Sequence, residues 1–274
     1  MTTGQVLILG SKGMLGHAMT MYFARGGARV QTLSRTDFDI AADPFEKLLP
    51  RLAEASAVIN CAGVIKPRIA AMKIEDVLRV NAIFPRNLAK ACAERGLPLF
   101  HVTTDCVFSG KKGNYDERDL YDADDTYGMS KNGGETHECM TLRTSIIGEE
   151  KGQSRSLLEW ARSNAGKEVK GFVNHRWNGV TTVELAKAIS TILDKKLYRP
   201  GLFHLFSPEV VTKAELLQLI SAAYGLDLRI VPVDAAESCD RSMKSIHDMS
   251  RELIKSSFAE QLAEMRRLFT PAAV

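Results

Sequence analysis

Tyr127 and Lys131 stand four residues apart, downstream of Thr103-Thr104 and of a glycine run, Gly10-Ser-Lys-Gly13-Met-Leu-Gly16. On a helix that spacing puts phenol and ammonium on one face. The positive charge then favours the phenolate and draws a pKa of roughly 10 towards neutrality. Tyr127 becomes a usable proton donor, and a phenol, a lysine, a hydroxyl and a phosphate cradle occur in the order a nicotinamide reductase needs.

The cradle is Gly10, Ser11, Lys12, Gly13, Met14, Leu15 and Gly16, directly after the apolar run Val6–Leu9 and at the start of a helical pattern. Glycines let the backbone approach a pyrophosphate, and the helix amino terminus adds amides and partial positive charge. The bland alternative is a tight strand-to-helix turn with no ligand. An NAD enzyme usually carries an acidic residue for the ribose hydroxyls about 20 residues past the loop. Here Ser34 and Arg35 stand at that point, with Lys12 in the loop, and the three suit a 2′-phosphate. Asp37 comes soon after and is the residue that would reach a ribose instead, so NADPH is preferred with NADH as the alternative. Cys61, Ala62 and Gly63 end another apolar run and suit a backbone lying against a cofactor, or equally a tight strand-helix contact; Asn81, inside an apolar helical pattern, suits a satisfied core polar group or, in this company, organising the site's backbone or a water.

Positioning these groups requires strands that alternate with helices. Apolar runs at Val6–Leu9, Val30–Leu33, Ala57–Asn60, Leu99–Thr103, Met140–Thr144 and Gly201–Phe206 read as strands. Helices are expected from Met14 to Gly26, from Val77 to Arg95 and from Tyr127 to Cys139, with capping boxes opening two more at Thr181-Thr-Val-Glu184 and Thr212-Lys-Ala-Glu215. Strands apolar along their whole length indicate a doubly wound parallel α/β sheet covered on both faces. The expected division is a dinucleotide-binding domain over 1–150, completed by about 180–206, and a smaller substrate lobe from 151–179 and 207–274. Lys167 to Gly179 reads as a loop, and Lys66-Pro-Arg68 as a solvated turn.

Composition sets bounds on function. The chain has 274 residues, 45% hydrophobic and 25% charged, with a net charge of +3, which favours a globular protein and gives no charge argument for nucleic acid. No apolar run approaches the length of a bilayer span. The five cysteines are an odd number without paired spacing, and the six histidines show no metal-ligand spacing, so reduced thiols, a cytoplasmic location and no catalytic metal are expected.

The glycine spacing, Asn60-Cys-Ala-Gly63, Thr103-Thr104-Asp105 and Tyr127-x-x-x-Lys131 occur together and in order. On these the chain resembles the extended short-chain dehydrogenases/reductases, whose Rossmann fold the strand pattern also suggests. Val102-Thr-Thr-Asp-Cys-Val-Phe-Ser-Gly110 with Leu142-Arg-Thr144 is similar to their dTDP-4-dehydrorhamnose reductase branch. By position, the resemblance implies that Thr104 bonds the reacting oxygen, that Tyr127 is the acid and that Lys131 binds nicotinamide ribose and tunes the tyrosine. It adds Asp105 to the catalytic set and sets Asp39 and Ile40 around the adenine. The sequence departs from the family at Cys106, where the dehydratases carry glutamate and the rhamnose reductases generally carry tyrosine. Without the glutamate a base for dehydration is missing, and without the tyrosine a different sugar is open.

Cys106, Phe108, Arg176 and Trp177 are the candidate substrate contacts, the last two offering a phosphate fork and a stacking face in Asn174-His-Arg-Trp-Asn-Gly179. Packing of the tryptophan between lobes, with the charges in water, is the alternative there. The reaction implied is NADPH-dependent reduction of a nucleotide-linked 4-keto-6-deoxy sugar for surface polysaccharide, by a homodimer. Two rivals share the fold: a sugar-nucleotide epimerase with tightly held NAD, and a non-catalytic regulatory subunit.

Overall fold

The computed structural model describes residues 4–150 and 156–270. Five parallel strands form by residue 144: β1 (Gln5–Leu9), β2 (Arg29–Leu33), β3 (Ala57–Asn60), β4 (Leu99–Thr104) and β5 (Met140–Thr144). A sixth, β8 (Gly201–His204), pairs with β5, and the sheet order is β8-β5-β4-β3-β1-β2, parallel throughout. The chain steps from β1 outward to β2 and then returns to β3 on the other side. A crevice therefore opens at the carboxyl ends of β1 and β3, where the connections diverge.

Alternation along the strands explains both covering layers. Val6 and Ile8 of β1 point with Ile59, Phe100 and Leu142 into one buried cluster, covered by Leu15 and Met19 of α1 (Met14–Arg25) and by Leu185 and Ile189 of α7 (Thr182–Asp194). Leu7 and Leu9 point the other way, with Val58 and Leu99, onto Leu52 of α2 (Leu49–Glu54) and Leu88 of α4 (Phe84–Ala93). Each such side chain contributes roughly 1.5–3 kcal/mol on burial. A third cluster joins Leu158 of α6 (Leu157–Ser163), Leu216 and Ile220 of α8 (Lys213–Tyr224) and Leu262 of α9 (Phe258–Phe269) beneath the carboxyl-terminal segments.

Several elements differ from the sequence expectations. The helix expected over Val77 to Arg95 is three pieces: α3 (Ile74–Leu78), a wide π turn over Arg79–Ile83, and α4. The helix α5 (Thr126–Gly134) stops five residues before Cys139, where Glu135 turns extended; its last residue, Gly134, packs so closely that an added Cβ would stand 2.1 Å from the Asn81 carbonyl. The strand expected to reach Phe206 ends at His204. The stretch from Lys167 to Gly179 is not a loop: it holds β6 (Glu168–Phe172) and β7 (His175–Trp177). β6 pairs with β10 (Arg229–Val233), and β7 lies between β9 (Val211–Thr212) and β11 (Cys239–Asp240).

Thr212 makes the complete capping box with Glu215. Thr181 makes half of one: its hydroxyl accepts from Glu184 N, but its own amide donates to Gln261 Oε1 of α9 at 3.1 Å. Residues 151–155, where the carboxyl-terminal lobe was expected to begin, lie outside the described residues.

Candidate active site

The crevice holds a cavity of about 570 Å³, within the range of small-molecule sites. Its floor is set by the backbone of the first turn. Gly10 sits at φ +77°, and a Cβ there would come 2.8 Å from Ala62 N; one on Gly16 would meet the Gly10 carbonyl at 2.2 Å. Gly10 thus keeps β1 and β3 close, and Gly16 seats α1 on its own turn. Gly13 caps α1 with no side-chain hydrogen bond, so the first amides of that helix remain available to an anion. Gly10, Lys12, Gly13, Met14 and Leu15 line the cavity, whereas Ser11 and Gly16 do not.

At the end of β2, Ser34, Arg35, Asp39 and Ile40 also line the cavity. Arg35 Nε donates to Asp39 Oδ2 at 3.0 Å, and Lys12 Nζ donates to Thr36 Oγ1 at 3.2 Å, so both cations stand at this end. Asp37 is exposed but bonded back onto its own turn: its Oδ2 accepts from Ser34 N at 2.8 Å and from Ser34 Oγ at 2.6 Å. That pair of bonds holds the Asp37 carboxyl below its usual range and commits it to the turn. Among the described residues, this donor set and the uncapped helix fit a pyrophosphate with a further phosphate beyond it.

Cys61, Ala62 and Gly63 form the β3 side of the cavity. Asn81 fixes the backbone at Val64, accepting from Val64 N at 2.8 Å and donating to Val64 O and Ser130 Oγ, both at 3.0 Å. The π turn delivers Asn81 to that position. Cys61 is half-buried, and desolvation pushes its thiol up to about 12.

Thr103, Thr104, Asp105, Cys106, Tyr127 and Lys131 meet at the opposite end. β4 runs directly into a short 3-10 turn over Asp105–Val107. Within it Thr104 Oγ1 accepts from Cys106 N at 3.1 Å and lies 3.2 Å from Asp105 Oδ1. Helix α5 starts at Asp125, whose carboxylate caps Gly128 N at 2.8 Å, and Gly128 packs so closely that a Cβ would stand 2.3 Å from the Cys106 carbonyl. The turn and the helix start are thus one packed unit.

Electrostatics there differ from the sequence expectation. Burial raises the Tyr127 phenol, and the neighbouring Cys106, Asp105 and Asp125 push it the same way, against a lowering hydrogen bond from Thr104. Lys131 does not bring it towards neutrality. Its ammonium donates to Val102 O at 3.1 Å, and burial lowers it to about 8 despite the opposing charge of Glu135. Burial also raises Asp105, opposed first by Arg241, and pushes the Cys106 thiol up to about 12, which leaves it neutral.

Three expected substrate contacts are not brought to this cavity. Phe108 is fully buried and stacks on Tyr115 with ring centroids 4.1 Å apart. Trp177 stacks on Phe258 at 5.1 Å, its indole face taken up in packing, and Arg176 faces Asp240 at 3.5 Å. Conversely, Lys66-Pro-Arg68 is more than a solvated turn. Arg68 lines the cavity with Ile65, Met72 and Val80, and Lys66 Nζ pairs with Asp125 Oδ2 at 2.6 Å. Ser145, Ile146 and Glu150 complete the wall. Sequence reasoning missed these residues, although two basic residues within eight positions of the end of β3 were a usable signal. Among the described residues, no group of three or more His, Cys, Asp or Glu could hold a metal, and no helix is long and apolar enough to cross a membrane.

Known proteins resemble the chain over most of its length. A dTDP-4-dehydrorhamnose reductase of Mycobacterium tuberculosis is 28% identical over 246 residues, covering 85% of this chain and 80% of that protein. A dTDP-4-keto-6-deoxy-D-glucose reductase of Streptomyces niveus is 26% identical over 244 residues, covering 85% and 84%. The crystal structure of a dTDP-4-dehydrorhamnose reductase of Bacillus anthracis, in complex with NADP, superposes with a TM-score of 0.80 at 21% identity, covering 96% of this chain and 99% of that one. The family described as the RmlD substrate binding domain matches residues 4–270, and the chain belongs to that family.

Proposed function

We propose that this protein is an NADPH-dependent reductase of the 4-keto group of a nucleotide-linked 4-keto-6-deoxy sugar. Its named relatives support the substrate class. The observation that carries the reading is a cavity lined at one end by the glycine turn and at the other by Thr104, Tyr127 and Lys131. Gly10, Gly13, Met14, Leu15 and the amides opening α1 would hold the pyrophosphate. Lys12, Ser34 and Arg35 would take the 2′-phosphate, Asp39 and Ile40 would flank the adenine, and Cys61, Ala62 and Gly63 would lie along the cofactor. NADPH, when bound, supplies the hydride.

The remaining chemistry belongs to the chain. Reduction places negative charge on the carbonyl oxygen, and a prepositioned acid must neutralise it. A phenol raised by burial keeps its proton until that charge develops, and Thr104 Oγ1 offers a second hydrogen bond. Lys131, one helical turn along the same face and anchored on Val102 O at 3.1 Å, would bind the nicotinamide ribose. Dehydration needs a second base, and the neutral Cys106 thiol is no such group; this favours reduction over a dehydratase. By the same reading the product would serve surface-polysaccharide synthesis. Five free cysteines favour a reducing compartment, the cytoplasm. A homodimer and a substrate lobe formed by 151–179 and 207–274 belong to the same proposal.

The test is NADPH oxidation by purified protein against a panel of nucleotide 4-keto sugars, followed by mass spectrometry. A gain of two hydrogens on the keto sugar is expected. Loss of water from a parent hexose nucleotide would overturn the reading, and NAD retained through purification and released only by denaturation would favour an epimerase.

A further inference from the structure

The turn that presents Thr104 and Asp105 is gripped from behind by a distant segment of the chain. Arg241 directly follows β11, and its guanidinium makes two directed bonds: Nε donates to the Phe108 carbonyl at 2.9 Å and Nη2 to the Ser109 carbonyl at 3.2 Å. Those carbonyls lie immediately beyond the 3-10 turn Asp105–Val107. A planar fork that binds two successive carbonyls fixes direction as well as distance. The backbone alongside is engaged too: Asp240 N donates to Gly110 O at 2.7 Å, Tyr115 N to Ser242 O at 3.0 Å, and Lys244 N to Tyr115 O at 2.9 Å. Gly110 permits the approach, since a Cβ there would stand 2.5 Å from Cys239 Sγ.

Charge points to the same residue. Asp105 is buried, and Arg241 is the main influence opposing the effect of that burial. The other groups facing Asp105 are Thr104 and Cys106 on its own turn, Ser145 after β5, and Tyr127 from α5, with Asp125 beyond the phenol. Arg241 is the cation that acts on Asp105, while Lys66 pairs with Asp125 at 2.6 Å, and neither Tyr127 nor Cys106 supplies a compensating charge.

We propose that Arg241 is a positioning residue for the reaction: by holding the Phe108 and Ser109 carbonyls it fixes the turn that presents Thr104 and Asp105 to the cavity. The inference rests on the reductase reading above. It makes the geometry at 104–106 depend on a side chain more than 130 residues away in sequence, and it separates two contributions, the fork that holds the carbonyls and the charge that sustains Asp105.

The experiment uses the full chain with Arg241→Gln, Arg241→Lys and Ser242→Ala. The last removes the hydroxyl that accepts from Asn114 N at 3.0 Å and so loosens the same clasp without touching the fork. Three quantities are read: kcat with the keto sugar, NADPH affinity by fluorescence titration, and the titration midpoint of the Asp105 carboxyl by 13C NMR, assigned through Asp105→Asn. Arg241→Gln should lower kcat at least about tenfold, as expected for a displaced turn, while NADPH affinity holds. It should also raise the Asp105 midpoint by about one pH unit or more. Arg241→Lys should keep the midpoint nearer its native value yet leave kcat reduced, because a point charge cannot reproduce the fork. An unchanged kcat and midpoint in Arg241→Gln would overturn the proposal. So would Ser242→Ala reproducing both changes at a matched loss of melting temperature. A wild-type protein that reduces no keto sugar defeats the reductase reading instead. The Asp105 midpoint, measured without substrate, then still decides whether Arg241 governs the turn.

Discussion

A phenol enclosed with Asp105, Asp125 and Cys106 holds its proton tightly, which suits a group that must give the proton away only when an oxyanion forms beside it. Tyr127→Phe keeps the ring and removes the acid. Turnover should fall by about 10²–10⁴ with NADPH binding intact, and a loss below tenfold in a folded variant would reassign the acid. Lys131 sets the pH response. Its ammonium is charged below about 8 and neutral above, so kcat for reduction should be level on the acidic side and decline as pH rises through that value. Lys131→Arg keeps its charge at any accessible pH and should carry the decline upward; a decline that stays in place belongs to another group. At the far end of the cavity, Arg35→Ala and Lys12→Ala should each weaken NADPH about tenfold, the worth of a charge-assisted bond, and spare NADH. Equal loss for both cofactors in binding titrations would show that these residues support the turn rather than the phosphate.

Helix α5 is short, rich in glycine and poor in propensity, so packing holds it in place. Its glycines are contact points: Gly128 against the Cys106 carbonyl and Gly134 against the Asn81 carbonyl. Gly134→Ala forces a methyl group against the Asn81 carbonyl and should cost about 1–3 kcal/mol in urea unfolding, with kcat falling as the Tyr127 face moves; full stability would mean that the π turn yields instead. The pair Tyr127 and Lys131 is legible in sequence because i, i+4 geometry is local, and the glycine turn because it directly follows an unbroken apolar strand. The end of α5 is less legible, since the chain turns extended at Glu135, whose carboxylate is held by Arg143 of β5, a partner distant from the helix start. The π turn is hidden for a related reason: the local apolar pattern of Val77 to Arg95 suits an unbroken helix, and only the partners of Asn81 reveal the extra width. The same limit accounts for Trp177, whose stacking face is real but is spent on Phe258.

Across the molecule, charge is buried where layers join. Arg143 of β5 is fully buried, bonds Glu135 through Nε at 3.1 Å and through Nη2 at 2.5 Å, and meets His204 Nε2 of β8 at 2.8 Å. Removing one partner strands the other, so Glu135→Ala should destabilise by roughly 3–5 kcal/mol. Pairing it with Arg143→Met should return much of that; a double variant as weak as the single would assign the loss to packing alone. Neither this network nor Arg241 can be read from spacing, because each joins strands and turns that meet only once the sheet is assembled. That assembly has a consequence in time. β8 and α7 arrive only after the excursion through α6, β6 and β7, so a nascent chain that has emerged as far as β7 carries β5 as an open edge. It also carries one face of the sheet without the cover of Leu185 and Ile189. An uncovered edge beside an exposed apolar face invites pairing between chains, so ribosome-bound or truncated forms ending before Thr182 should require a chaperone that the finished protein does not.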